Sequence, residues 1–113
     1  MRANVHPAAD LAAIAKLPEV RSAVRGDRSG AFLDAVNEAD GETVAAVMGF
    51  VASTLAEAGD QLGLGALRRA TLLGQSRAYL VTMQGDAVIT ALVDAKSVAA
   101  VEKALDASLP ERG

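Results

Sequence analysis

The single histidine, His6, stands directly before Pro7. It therefore falls in an N-terminal arm, where a solvated imidazole is the ordinary outcome and a positioned general base is not. Cysteine is absent, which removes thiolate nucleophiles, disulfides and sulfur-ligated metal centres together. Ser29 lies in Gly26-Asp27-Arg28-Ser29-Gly30, a run without the Gly-x-Ser-x-Gly spacing that forces a nucleophile onto a sharp strand-to-helix turn. It reads as a chain reversal. Gly63-Leu64-Gly65 follows a helical pattern and precedes no helix, so it is a helix stop and not a phosphate cradle. Arg25-Gly26-Asp27 spells an adhesion tripeptide, a match so short that chance accounts for it. Asp34, Glu38, Asp40 and Glu42 form an acidic cluster without EF-hand spacing, and acids before a helix are favoured by its dipole in any case. No catalytic, metal-ligating or cofactor-binding residue is expected, and the chain is read as non-enzymatic.

The side chains with functional reach are then the arginines. A guanidinium makes bidentate contacts with carboxylates and phosphates, so Arg21, Arg25, Arg28 and Arg68 are the candidate partner-binding residues. Against that reading stands an ordinary solvated surface of mixed sign. The formal net charge of −3, with acids between the bases, leaves no basic stripe to track a phosphate backbone, and aromatics at 3% leave little for base stacking. Nucleic acid is excluded as a partner. A chain that is 51% hydrophobic and 22% charged can offset the entropy of ordering itself, and its 113 residues suit one domain. Asp10 and Lys16 interrupt the first apolar stretch, and no run approaches the roughly 20 apolar residues of a spanning helix. A cytoplasmic location without membrane insertion is the expectation.

Positioning these residues falls to a simple order of elements. A helix over Ala8–Leu17 stops at Pro18. Val20–Arg25 alternates as a strand, with Val20, Ser22 and Val24 on one side and Arg21, Ala23 and Arg25 on the other. The Gly26–Gly30 turn leads to its partner strand, Ala31–Val36. A long helix starts near Gly41-Glu42-Thr43, and Val44, Val47, Met48, Val51, Leu55, Ala58 and Leu62 make its core-facing stripe. Gly63 and Gly65 end it. Strands follow over Ala66–Leu73, Ala78–Met83 and Ala87–Val93, joined by Gly74-Gln75-Ser76 and Gln84-Gly85-Asp86, the last two apolar enough to be covered on both faces. A final helix, capped by Ser97 and carrying Val98, Val101, Ala104, Leu105 and Leu109, closes before Pro110. This gives an arm over 1–7, a domain over 8–109 and a tail over 110–113.

The long helix has a second face, where Ala46, Gly49, Phe50 and Ser53 lie together. Small residues beside one ring let two helix axes approach closely, which favours contact with a second copy over an isolated exposed ring. The element order and the runs Leu62-Gly63-Leu64-Gly65-Ala66-Leu67, Arg69-Ala70-Thr71-Leu72-Leu73-Gly74, Ala78-Tyr79-Leu80-Val81 and Gly85-Asp86-Ala87-Val88-Ile89-Thr90-Ala91-Leu92-Val93-Asp94 resemble the roadblock (dynein light chain-like) family. The Asp27-Arg28-Ser29-Gly30 turn resembles that family's first hairpin. The resemblance covers about Ala8 to Leu109.

It implies an α/β fold of the α+β type with profilin-like architecture: a five-stranded antiparallel sheet with the long central helix on one face and the two shorter terminal helices on the other. It also implies a two-fold homodimer in which Ala66–Leu73 pairs with its own copy and the long helices meet, so that Arg69, Thr71 and Leu73 join Ala46, Gly49, Phe50 and Ser53 at the interface. One departure is that the family's first strand is more uniformly apolar, whereas Arg21 and Arg25 fall on one side here; either that side is less covered or the register differs. Family members act as scaffolds or regulators of Ras-like small GTPases or as motor-complex subunits. A non-catalytic homodimeric adaptor for such a GTPase or another signalling protein is the leading expectation. The alternative is a sensor holding a small molecule between sheet and helix, which the aliphatic interior disfavours.

Overall fold

A computed structural model describes residues 7–108; His6 with the arm before Pro7, Leu109, Pro110 and the tail over 110–113 lie outside the described residues. The elements are α1 (Pro7–Ala15), β1 (Val20–Asp27), β2 (Phe32–Val36), α2 (Gly41–Gln61), β3 (Arg69–Leu73), β4 (Arg77–Gln84), β5 (Ala87–Asp94) and α3 (Val98–Ser108). Ser97, expected as the cap of α3, ends a 3-10 turn over Ala95–Ser97 that leads into the helix. The strands form one five-stranded sheet in the order β2-β1-β5-β4-β3, and every neighbouring pair is antiparallel. β2 and β3 are therefore the two edges.

Apolar residues on both sides of β4 and β5 require cover on both sides, and the helices supply it. Leu11 and Ile14 of α1 and Val101 and Leu105 of α3 pack with Ala23, Ala78, Leu80, Ile89, Ala91 and Val93 of the sheet. On the opposite face Met48 and Ala52 of α2 pack with Val81, Met83 and Val88. The expected architecture, with one long helix on one face and the terminal helices on the other, is the observed one.

Three local expectations change. The register of β1 slips between Val20 and Ser22, so Val20 and Ala23 both face α1 and α3 and Val20 does not share a side with Ser22 and Val24. An extra residue, Arg21, is accommodated there, and a bulge restores the pleat beyond it. The third strand begins at Arg69, not Ala66. Gly63 and Gly65 both take positive φ, 76° and 77°, and the Leu64 and Gly63 amides donate back to the Gly59 and Asp60 carbonyls at 2.9 and 3.1 Å. That is a Schellman stop, and Ala66 and Leu67 are spent in leading the chain back to the sheet.

The third change is the rotation of α2. Its buried line is Gly41, Ala45, Met48, Gly49, Ala52 and Gly59, whereas Val47 is 49% and Leu62 74% exposed and Ala58 is also exposed. At about 100° per residue, the valine–leucine stripe expected on the core side is turned by roughly a quarter of a turn from the true one. Small residues face the sheet because they bring the helix axis close to it. The larger aliphatics are displaced to one flank, where Val44 and Val51 lean on the same cluster as Leu72 and Tyr79.

Candidate interaction surface

The β1–β2 turn fixes one end of the surface. The Asp27 carboxylate accepts hydrogen bonds from the Ser29 amide at 2.9 Å, the Ser29 hydroxyl and the Ala31 amide at 3.0 Å, while the Gly30 amide donates to the Asp27 carbonyl at 2.9 Å. These bonds, the Ser29 hydroxyl first, hold the Asp27 carboxyl below the ordinary carboxylate range. The Arg28 amide donates to the Asp86 carbonyl at 3.1 Å, so the β1–β2 and β4–β5 turns share one end of the sheet. At the other end Arg21 makes a bidentate pair with Asp94, at 2.7 and 2.9 Å, which lowers the Asp94 pKa in turn.

A carboxyl whose folded pKa is depressed stabilises the fold above the unfolded value and loses that contribution as pH falls through the folded one. The melting temperature should therefore hold level down to about pH 4.5 and fall below about pH 4, the range of a free aspartate. Thermal melts across that range should show a shallower fall in Asp27→Asn and Asp94→Asn; slopes equal to the parent's would show that neither carboxyl is responsible.

Against this frame the arginines do not gather. Arg21 is committed to Asp94 at one end of β1, and Arg28 lies in the turn at the other. Arg25 is half-buried on β1, and its Nε, like that of Arg28, is buried without a hydrogen bond. Arg68 is exposed in the connection before β3, its carbonyl accepting the Met83 amide at 2.8 Å. The acids expected between strand and helix are used locally: Asp34 accepts the Ala35 amide at 2.8 Å and Glu38 the Asp40 amide at 3.1 Å. No set of three metal-ligating side chains converges among the described residues.

The residues expected at a dimer seam divide. Gly49 is buried, and a Cβ built on it would lie 2.6 Å from Gly30 Cα and 2.9 Å from the Asp27 carbonyl oxygen. The close approach expected between two helices is thus made within one subunit, helix against hairpin turn, and Gly49 is unavailable to another copy. Ser53 lies on the same flank, its hydroxyl donating to the Arg28 carbonyl at 3.0 Å. Ala46 is exposed, but its backbone borders Gly30. Phe50 stands on the crest, 73% exposed. On β3, Arg69 reaches Asp106 at 2.7 Å and Thr71 reaches Glu102 at 2.8 Å; both side chains are held by α3 of their own subunit, while the backbone edge beside them is paired with no other described strand.

Leu73 is exposed at the end of that strand. Val47 and Leu62 of α2 and Leu64 just after it are exposed as well, although the helical spacing predicts Val47 and Leu62 for the core stripe and Leu64 for the helix stop. Their apolar character concealed them, because periodicity alone does not distinguish a core stripe from a flank awaiting cover.

The two edges differ. β2, equal in length to β3, pairs with β1 through a register shift at Arg25/Gly26, gives its Ala35 amide to Asp34 and is followed by Asn37 with φ 60°. Such irregularities discourage pairing at an edge. β3 pairs with β4 without interruption from Arg69↔Thr82 to Leu73↔Ala78, which leaves a regular outer edge. Beside it is an open apolar groove of about 530 Å³ lined by Leu72, Leu73, Gly74, Arg77, Tyr79 and Leu92. Arg77 and the Tyr79 hydroxyl are the polar side-chain groups of that lining, too few to converge on a polar small molecule.

The chain matches no protein-family model and no curated protein. Among solved structures it is similar to MglB of Myxococcus xanthus, at a TM-score of 0.78 and 13% identity over 88% of this chain and 85% of that one. It is also similar to MglB in a tetrameric arrangement, at a TM-score of 0.76 and 16% identity over 89% and 80%. A Roadblock/LC7 domain from Streptomyces avermitilis superposes with a TM-score of 0.68 and 18% identity over 87% and 92%. With its sheet order, its long helix on one face and its paired terminal helices on the other, this chain has the roadblock fold.

Proposed function

We propose that the chain is a non-catalytic homodimeric adaptor or regulator, acting in the cytoplasm, that engages a Ras-like small GTPase or another signalling protein by surface contact. The observation that carries the self-association is the regular, open β3 edge lying next to an uncovered aliphatic flank of α2. Pairing two such edges satisfies backbone groups that one copy leaves to water, and it brings two apolar flanks together. The appearance of MglB in a tetrameric arrangement among the similar structures supports self-assembly on this fold. The GTPase reading rests on the family that the sequence resembles. No described helix is long and apolar enough to cross a membrane.

The assembly is tested by light scattering over a dilution series, which should give twice the chain mass at micromolar concentration; a monomer there would remove the platform. The partner is tested by isolating the tagged protein from its own cells and adding the purified chain in excess to any Ras-like GTPase recovered. A changed rate of GTP hydrolysis or nucleotide exchange is expected. Recovery of no such GTPase, or an unchanged rate, would turn the assignment toward a different signalling protein.

A further inference from the structure

The β1–β2 hairpin carries two cations that the subunit leaves unanswered. Arg21, further back on β1, shows what an answered one looks like, since it takes both carboxylate oxygens of Asp94. Arg25 has Asp34 directly opposite on β2, yet the Asp34 carboxylate accepts the Ala35 amide instead. Arg28 follows Asp27, whose carboxylate is occupied by the Ser29 amide, the Ser29 hydroxyl and the Ala31 amide. Among the described residues neither guanidinium has an acceptor, and the Nε of each is buried. A covered N–H without an acceptor is costly to keep, so both arginines are set for a carboxylate that the hairpin has not spent on its own turn. The hairpin also presents an aliphatic side chain. Leu33 is 48% exposed and is left without a partner where the register passes from Arg25↔Asp34 to Gly26↔Phe32, the kind of bulge that re-aims a side chain at an edge. The ring of Phe32 beside it lies against Gly41 of α2, which leaves Leu33 the freer of the two. Because β2 is the edge opposite β3, this surface stays open whether or not two β3 edges pair.

We propose that the hairpin over residues 25–33 docks an acidic segment of a protein partner, a reading that rests on the adaptor role above and gives it a surface. Carboxylates of the segment meet the terminal nitrogens of Arg25 and Arg28, the fork that remains once Nε is covered, and an aliphatic residue between them lies on Leu33. The choice of partner follows from the neighbouring charges. Asp27 and Asp34 cancel the two arginines at a distance, so an anionic bilayer, which needs a cluster of uncompensated cations, gains little here. A doubly charged phosphate would meet the same two carboxylates. Singly charged carboxylates gripped at short range by a planar fork suit such a field.

The test is the fluorescence anisotropy of a labelled peptide of alternating glutamate and leucine, titrated with the full chain. Arg25→Gln and Arg28→Gln should each raise its dissociation constant about tenfold, and Leu33→Ser should weaken it further. Lys103→Gln, which removes the same charge from an exposed position on α3, should leave it unchanged, with melting temperatures verifying that every variant is folded. A peptide that the parent chain does not bind, or that the arginine variants bind as well, would overturn the surface. Tighter binding of a phosphoserine version of the peptide, or sedimentation of the chain with phosphatidylserine vesicles, would overturn the carboxylate partner. Peptide binding as expected, with no Ras-like GTPase recovered from cells, would keep the hairpin and remove the GTPase. A recovered GTPase held equally by the parent chain and the double arginine variant would remove the hairpin and keep the adaptor.

Discussion

Gly49→Ala is expected to destabilise the fold by about 2 kcal/mol, although replacing a glycine inside a helix by alanine ordinarily gains up to about 1 kcal/mol. The sign reverses because of what lies above the residue. A Cβ there would come within 2.6 Å of Gly30 Cα and 2.7 Å of Gly30 N, and backbone atoms cannot swing aside as the end of a side chain can. Either the helix lifts off the sheet, loosening Met48 and Ala52, or the turn moves and strains the hydrogen bonds of Asp27. For a domain of this size the loss corresponds to a fall in melting temperature of roughly 10 °C. Gly59→Ala, in the same helix, supplies the control. Its Cβ would meet Leu67 and Leu64 at 3.8 to 3.9 Å, ordinary van der Waals contact, so the helical preference for alanine should prevail and the melting temperature should rise. Shifts of the same sign in the two variants would refute the account of α2 as a helix seated on the hairpin turn.

That contrast also marks what could be read from the residues alone. The helices and strands were legible because their periods are plain: Ala87 to Asp94 is buried on both faces, and Gly63 and Gly65 stop α2 where they stand. The interaction surface was only partly legible. The stripe from Val44 to Leu62 has the spacing of a core face, yet the side turned to the sheet is lined by Ala45, Met48, Ala52 and Gly59. Hydrophobicity rewards bulk, whereas close packing of a helix on a sheet rewards smallness, and the latter prevails here. Gly49 and Phe50 are neighbours in sequence but project about 100° apart around the helix, so one is lost beneath a turn and the other stands clear.

The polar features went the same way. Arg21 broke the expected alternation of β1, and a bulge between Val20 and Ser22 resolves the conflict by giving it a place outside the pleat, paired with Asp94. Arg69 and Thr71 are expected at the interface because the family resemblance implies pairing of the third strand with its copy, but their side chains face α3 and are bound there. What the strand offers outward is its backbone, together with Leu73. Sequence periodicity reports which side of a strand a residue occupies; it does not report whether a neighbouring helix has already claimed that side.

Val47→Asp should dissociate the proposed dimer while leaving the monomer folded. Val47 is 49% exposed in the single subunit, so a carboxylate there keeps its water and costs the monomer little. In the dimer it would lie on the flank that faces the other helix, and desolvating an unpaired charge costs on the order of 3 kcal/mol or more, a loss of at least about a hundredfold in association. Phe50→Asp should have the smaller effect, because Phe50 projects from the crest of α2, away from the sheet that the two copies would share. Sedimentation equilibrium of both variants beside the parent chain ranks them directly. If Phe50→Asp were the more damaging, the helices would meet crest to crest and the β3 edge would not be the seam; if both remained dimeric at low micromolar concentration, α2 would lie outside the interface altogether.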